Sequence, residues 1–229
     1  MLVLVLDSST PAVTAALAEV TDVDVRLAAS RCTVDARAHG ELLSPQIAAV
    51  LAEAGAGPAG LTAVVAGLGP GPFTGLRVGL ATAASIAHAL DIAAYGVVSL
   101  DALGREAGTD TGLGGGPVLV ATDARRRELY WAVYADGQRV TEPAVDTPAV
   151  VGRVLPGLGV TAAVGDGALR YADALGVAVR PQPRYPSALR LVELAADRVR
   201  TSAPGENLTP CYLRRPDAVA TTARKPVLR

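Results

Sequence analysis

Two aspartates stand where strand-borne chemistry is usually placed. Leu2-Val-Leu-Val-Leu-Asp7 and Pro117-Val-Leu-Val-Ala-Thr-Asp123 are apolar runs that end in a carboxylate, 116 positions apart in a chain of 229. Each opens into a polar turn and then a second strand. Carboxylates facing each other across a cleft can hold a nucleotide's metal or its phosphate water, and Ser8 and Ser9 would complete such a cleft beside Asp7 and Asp123. The competing reading is that each aspartate caps its own turn by accepting backbone N–H groups. Arg125, Arg126 and Arg127 follow Asp123 directly. Three adjacent guanidinium groups could grip phosphate, but extended alternation lets only one or two face a given direction.

Other chemistries lack their residues. His39 and His88 are the only histidines, in neither an H-E-x-x-H nor an H-x-x-x-H pattern, and Cys32 and Cys211 have no metal-type spacing, so no metal ligand is assigned. Gly-x-Ser-x-Gly is absent. Lys225 is the single lysine, which leaves no Schiff-base candidate, and no catalytic residue is assigned. The two cysteines read as reduced core thiols or, less simply, one disulfide. A net charge of −1 argues against a broad cationic surface for nucleic acid. The N-terminal apolar run stops at Asp7, too short for a signal peptide, and no long uncharged apolar run spans a membrane. The expected compartment is the cytoplasm.

The elements that must position these residues follow from periodicity. Leu2–Leu6, Ala12–Ala18 and Val23–Ala29 read as strands, and Leu42, Leu43, Ile47, Val50, Leu51 and Ala54 recur at helical spacing until Gly55. A strand at Thr62–Gly67 enters the loop Gly67–Pro72, which leads into a long apolar helix ending near Leu90. A short strand near Ala94–Val98 and a helix capped by Ser99 complete this half. The run 108–117 is a glycine-rich linker. Beyond it the pattern restarts, with strands at 118–123 and 128–134, a strand at 162–165 and an amphipathic helix over 189–199. This two-fold repeat predicts an α/β protein with the duplicated ASKHA (actin/hexokinase/Hsp70-like) fold, two β-β-β-α-β-α subdomains. The expected divisions are 1–108, 109–213 and a basic, flexible tail over 214–229.

The loop at 67–72 could cradle phosphate at a helix start, but Pro70 and Pro72 remove two N–H donors and no lysine stands beside it. It reads better as a rigid lead-in. In the helix beyond, Gly75, Gly79, Ala83 and Ala87 form a small-residue stripe at i+4 spacing, which predicts close approach by another subunit's helix.

Leu6-Asp-Ser-Ser-Thr10, His39-Gly-Glu-Leu-Leu-Ser-Pro45, Gly69-Pro-Gly-Pro-Phe-Thr-Gly-Leu-Arg-Val-Gly79 and Val98-Ser-Leu-Asp-Ala-Leu103 together resemble the TsaB (YeaZ-type) family. The match covers about the first hundred residues; the second half is similar in outline. The resemblance implies a non-catalytic subunit of tRNA threonylcarbamoyladenosine biosynthesis. Such a subunit binds a TsaD-type catalytic subunit, with a TsaE-type ATPase, for threonylcarbamoyl transfer to the adenosine adjacent to the anticodon. TsaD-like proteins carry an H-x-x-x-H metal site after the position of His39; here Ser44 and Pro45 follow and no second histidine appears. The resemblance further implies contact with tRNA only through the complex, a homodimer when alone, and no cofactor beyond ATP or ADP at the complex interface. Its partner-binding helices map to Leu42, Leu43, Gln46, Ile47, Val50, Phe73, Gly75, Leu76, Arg77, Gly79, Leu80 and Ala83. On this reading Gly75→Leu and Gly79→Leu weaken the complex while the monomer stays folded. The rival readings are an ASKHA-type small-molecule kinase or ATPase using Asp7 and Asp123, and a metallopeptidase.

Overall fold

The first strand is apolar from Leu2 to Leu6 because both of its faces are covered. In a computed structural model, which describes residues 1–109 and 115–214, β1 (Leu2–Asp7) lies at the centre of a five-stranded sheet. It pairs antiparallel with β2 (Ala12–Val20), which pairs antiparallel with β3 (Val25–Val34); on its other side come β4 (Ala63–Gly67) and then β5 (Ala93–Val97), both parallel. Leu4 and Leu6 point to the side packed by helices α1 (His39–Glu53) and α2 (Phe73–Leu90), and Val3 and Val5 point to the opposite side. Each such fully buried Leu or Val contributes roughly 1.5–3 kcal/mol. α1 ends where expected: Gly55 takes a φ of +62° and its N–H bonds the carbonyl of Ala52.

The second half repeats the plan. β6 (Val118–Asp123) pairs antiparallel with β7 (Leu129–Ala135), and the short strands β8 (Gln138–Arg139) and β9 (Ala144–Asp146) flank β7. On the other side β10 (Ala162–Val164) and β11 (Ala178–Val179) run parallel to β6. Helices α4 (Pro148–Val154), α5 (Asp166–Arg170) and α6 (Ala172–Leu175) cover one side of this sheet. The first unit therefore reads β-β-β-α-β-α-β-α, one strand and one helix longer than the six-element expectation; the second follows the same plan with a fourth strand, β9, before α4 and with two short helices, α5 and α6, between β10 and β11, within the duplicated ASKHA fold.

The added helices cross over. α3 (Ser99–Thr109), from the first half, packs its Leu100, Leu103 and Ala107 on β6, β7 and β10 of the second sheet. α7 (Ala188–Arg200), from the second half, buries Leu191, Val192, Ala195 and Val199 on the first sheet. Arg190 of α7 joins the pair, its Nε 3.1 Å from Glu106 of α3. The chain then returns over the first half: Glu206 N–H donates to the Ala94 carbonyl and Cys211 N–H to that of Leu68, both at 2.8 Å. Arg214 reaches the β6–β7 turn of the second half. The rest of the expected tail, 215–229, and the linker centre, 110–114, lie outside the described residues. Neither cysteine is a core thiol: Cys32 is exposed on β3, Cys211 is half-buried, and both are free.

Candidate functional site: the strand-end turns and the first helix layer

Asp7 leaves β1 on the side of Val3 and Val5 and is 1% exposed. Its Oδ1 accepts the N–H of Ser9 at 3.0 Å and the hydroxyl of Ser9 at 2.9 Å, and its Oδ2 accepts the Ser99 hydroxyl at 2.6 Å. Burial pushes the carboxyl above its ordinary range, against the pull of these hydrogen bonds. Ser99 was expected as an N-cap; its hydroxyl instead bridges Asp7 and the Gly69 N–H, which donates to it at 3.1 Å. The turn-capping reading of Asp7 is the one the geometry realises.

The Gly/Pro loop is spent on the same contacts. Leu68 N–H donates to Val97 and Ser99 N–H donates to Gly69, both at 2.7 Å. A Cβ on Gly71 would overlap the Ser9 carbonyl, so only glycine lets the loop seal against the β1–β2 turn. The N–H groups of Leu68 and Gly69 are thus committed, and Pro70 and Pro72 offer none. His39 opens α1 as expected, and its Nε2–H donates to the Thr10 carbonyl at 2.8 Å, since a carbonyl can only accept.

Asp123 does not mirror Asp7. Leu119 and Ala121 face α4–α6, as Leu4 and Leu6 face α1 and α2, so the residue equivalent to Asp7 is Thr122, not Asp123. One residue of register reverses a strand side chain's face, and the two aspartates therefore do not oppose each other across a cleft. Asp123 Oδ1 accepts the N–H of its own turn residue Arg125 at 3.2 Å, and its Oδ2 lies 3.6 Å from Arg170 of α5. Behind it Asp166, 9% exposed, accepts the Asp123 N–H at 3.3 Å. Burial pushes Asp166 up to about 6; the backbone bond opposes this and the Asp123 carboxylate adds to it. A groove of about 450 Å³ does open between the halves, lined by Thr14, Cys32, Arg184 and Tyr185 among others, but neither Asp7 nor Asp123 lines it. Of the four residues expected to form a nucleotide cleft, Asp7, Ser8 and Ser9 lie buried together at the β1–β2 turn, and Asp123 lies on the α4–α6 side of the second sheet. Among the described residues no three His, Cys, Asp or Glu side chains gather as a metal site.

The small-residue stripe of α2 faces inward, which corrects its expected orientation. Ser8 Oγ donates to the Gly75 carbonyl at 2.8 Å and accepts the Gly79 N–H at 3.0 Å. A Cβ on Gly79 would overlap that hydroxyl, and Leu76, Leu80, Ala83 and Ala87 are buried in the chain's own core. On α1, Leu43, Ile47 and Val50 are core residues too, and Gln46 is buried with its Nε2 donating to Thr33 at 2.9 Å. Of the twelve mapped residues only Phe73 and Arg77 are exposed, with Leu42 half-buried. The helices' outward faces carry Ser44, Pro45 and Ala48 on α1, and Thr74, Arg77, Ala81, Ala84, Ser85 and His88 on α2. At the mouth of α2 the Phe73 and Tyr212 rings stack 5.5 Å apart, both 45% exposed. Arg77 lies 3.6 Å over Phe73 and donates to the Tyr212 hydroxyl at 2.7 Å. Sequence reasoning missed this cluster, because its third member comes from 135 residues away.

Comparison with known proteins agrees with this architecture. Residues 32–183 match the family model described as TsaD, tRNA N6-adenosine threonylcarbamoyltransferase. An uncharacterized Mycobacterium leprae protein is 45% identical over 222 residues, 97% of this chain, and the chain spans 57% of that protein's length. The TsaB protein of Escherichia coli, named for tRNA threonylcarbamoyladenosine biosynthesis, is 31% identical over 115 residues, 50% of this chain and 49% of that one. The solved structure of YeaZ from Pseudomonas aeruginosa superposes with a TM-score of 0.74 at 28% identity, covering 93% of this chain and 99% of that one. With both ASKHA halves present and the first helix layer intact, the chain belongs to the tRNA N6-adenosine threonylcarbamoyltransferase family, as a TsaB/YeaZ-type protein.

Proposed function

We propose that this chain is a non-catalytic subunit that docks a TsaD-type catalytic subunit through the outward faces of α1 and α2. One observation carries the reading: the strand-end turn after β1 is filled by its own side chains. Asp7 is consumed by Ser9 and Ser99, and Asp123 faces away from it. A chain so built supports a catalyst rather than turning over substrate itself. The surface it offers includes the small side chains Ser44 and Ala48 on α1 and Ala81, Ala84 and Ser85 on α2, so a partner helix can approach closely. In the absence of that partner a second copy occupies the same faces. A TsaE-type ATPase joins the assembly in the cytoplasm, and any ATP or ADP is held between subunits.

The test is co-elution with the TsaD-type subunit of the same organism. Ala84→Arg is expected to abolish co-elution while leaving the melting temperature of the isolated chain within about 2 °C, as exposed substitutions do. Co-elution unchanged by Ala84→Arg overturns the surface assignment. Steady ATP hydrolysis by the purified chain, lost in Asp7→Asn, overturns the non-catalytic reading.

A further inference from the structure

The β6–β7 turn holds a feature that the docking function does not use. Arg125, Arg126 and Arg127 occupy three successive positions with φ of +61°, +53° and +62°. Non-glycine residues avoid this region because Cβ crowds the following carbonyl, and three in a row are held here by the turn's own bonds. Ala124 N–H donates to Glu128, and Glu128 N–H donates to Arg125, both at 3.0 Å. The left-handed path cancels the alternation expected of an extended chain: all three side chains are exposed. Two carboxylates that bound this turn in sequence are already engaged, Asp123 by Arg170 and Glu128 by Arg214, and Asp166 is buried behind Asp123. Among the described residues, Arg125 and Arg127 have no ion-pair partner. Five arginines therefore converge on one turn of a chain whose net charge is −1.

We infer that this turn is a docking surface for the phosphate backbone of tRNA, with Arg125 and Arg127 as its free contacts and Arg170 and Arg214 as its flanks. The identity of the nucleic acid rests on the proposed place of the chain in tRNA modification. Guanidinium forks suit phosphate oxygens, and a strained backbone that presents charge is retained where the charge has work to do. The fit is to backbone rather than base, since no exposed aromatic ring stands on the turn itself. Arginines here contact tRNA directly, beyond the expectation that the chain meets tRNA only through its partner.

The test is fluorescence anisotropy with an unmodified tRNA transcript and the isolated full chain, from 50 to 300 mM KCl. The variant is Arg125→Gly/Arg127→Gly, because glycine keeps the positive φ of the turn while deleting both charges. Loss of two phosphate contacts lowers the slope of log K against log salt by about 1.4 and the affinity at 100 mM KCl about 25-fold. Arg125→Lys/Arg127→Lys is expected to keep the slope. Equal affinity and slope for wild type and the glycine variant overturn the inference, as does a wild-type chain that leaves the transcript unbound at 50 mM KCl. If the glycine variant binds the transcript normally but no longer co-elutes with the TsaD-type subunit, the surface faces protein and the inference is wrong. Co-elution is measured separately, so a chain that ignores the TsaD-type subunit but loses tRNA in the glycine variant refutes the docking function alone.

Discussion

Asp166→Asn is expected to stabilise this protein, and to do so only above acidic pH. The side chain is 9% exposed at the start of α5, and burial lifts its carboxyl from 3.8 to about 6 in the folded state. Because the folded value is the higher one, folding favours the protonated acid. That contribution is fully present below about pH 4 and disappears as pH rises through 6. Two units correspond to about 3 kcal/mol of differential stability between the two ends of this window. The asparagine keeps an Oδ1 to accept the Asp123 N–H, now at 3.3 Å, and removes the charge that Asp123 repels. It forfeits the interaction of an anion with the first turn of α5, about 0.5 kcal/mol in so short a helix. The net gain at pH 8 is then about 2 kcal/mol, a rise in melting temperature of about 4–8 °C for a chain of this size. Urea unfolding of wild type and variant at pH 4.5 and pH 8 reads this directly. The two curves are expected to lie close together at pH 4.5 and apart at pH 8. A variant that is less stable at pH 8, or a difference that does not change with pH, would refute the assignment of Asp166 as a carboxylate penalised by burial.

Two further outcomes follow from the β1–β2 turn. Ser99→Ala removes the hydroxyl donor to Asp7 and the acceptor of the Gly69 N–H; the expected cost is about 2–3 kcal/mol in urea unfolding, and a loss below about 0.5 kcal/mol would mean that water reaches Asp7. Gly79→Leu drives a side chain into Ser8 and is expected to destabilise the isolated chain by about 3 kcal/mol, contrary to the outcome implied by an outward-facing stripe. An unchanged thermal melt of that variant would return Gly79 to the surface.

Much of the fold was legible because its signals are local. The apolar runs before Asp7 and Asp123, the 3.6-residue recurrence from Leu42 to Leu51, and the glycine after α1 each fix an element through backbone geometry and burial of one face. The pattern restart near 118 exposed the duplication for the same reason. Legibility failed wherever a side chain's direction depended on a distant element. Gly75 and Gly79 form a stripe with two equally plausible destinations until Ser8, 67 and 71 positions earlier, fills one of them. Asp7 and Asp123 align by eye, but the faces of their strands are set by which helices cover each sheet, and that places Thr122 opposite Asp7 in the symmetry.

The sequence by itself determined the class of the protein: its strands and helices, its two-fold plan, its lack of metal-ligand spacing, and the motifs shared with TsaB-type proteins. These are properties of residue order, and short-range sterics and hydrophobic periodicity suffice to read them. The tertiary structure alone decided what the motifs are used for. It sealed Asp7 under Ser99, turned the glycines of α2 inward, exchanged α3 and α7 between the sheets, and brought Tyr212 to Phe73. It also bent three arginines into a left-handed turn that presents all of them to solvent. Each outcome depends on which surfaces meet after the chain folds back on itself, because a side chain's face and partners follow from packing between elements far apart in the sequence.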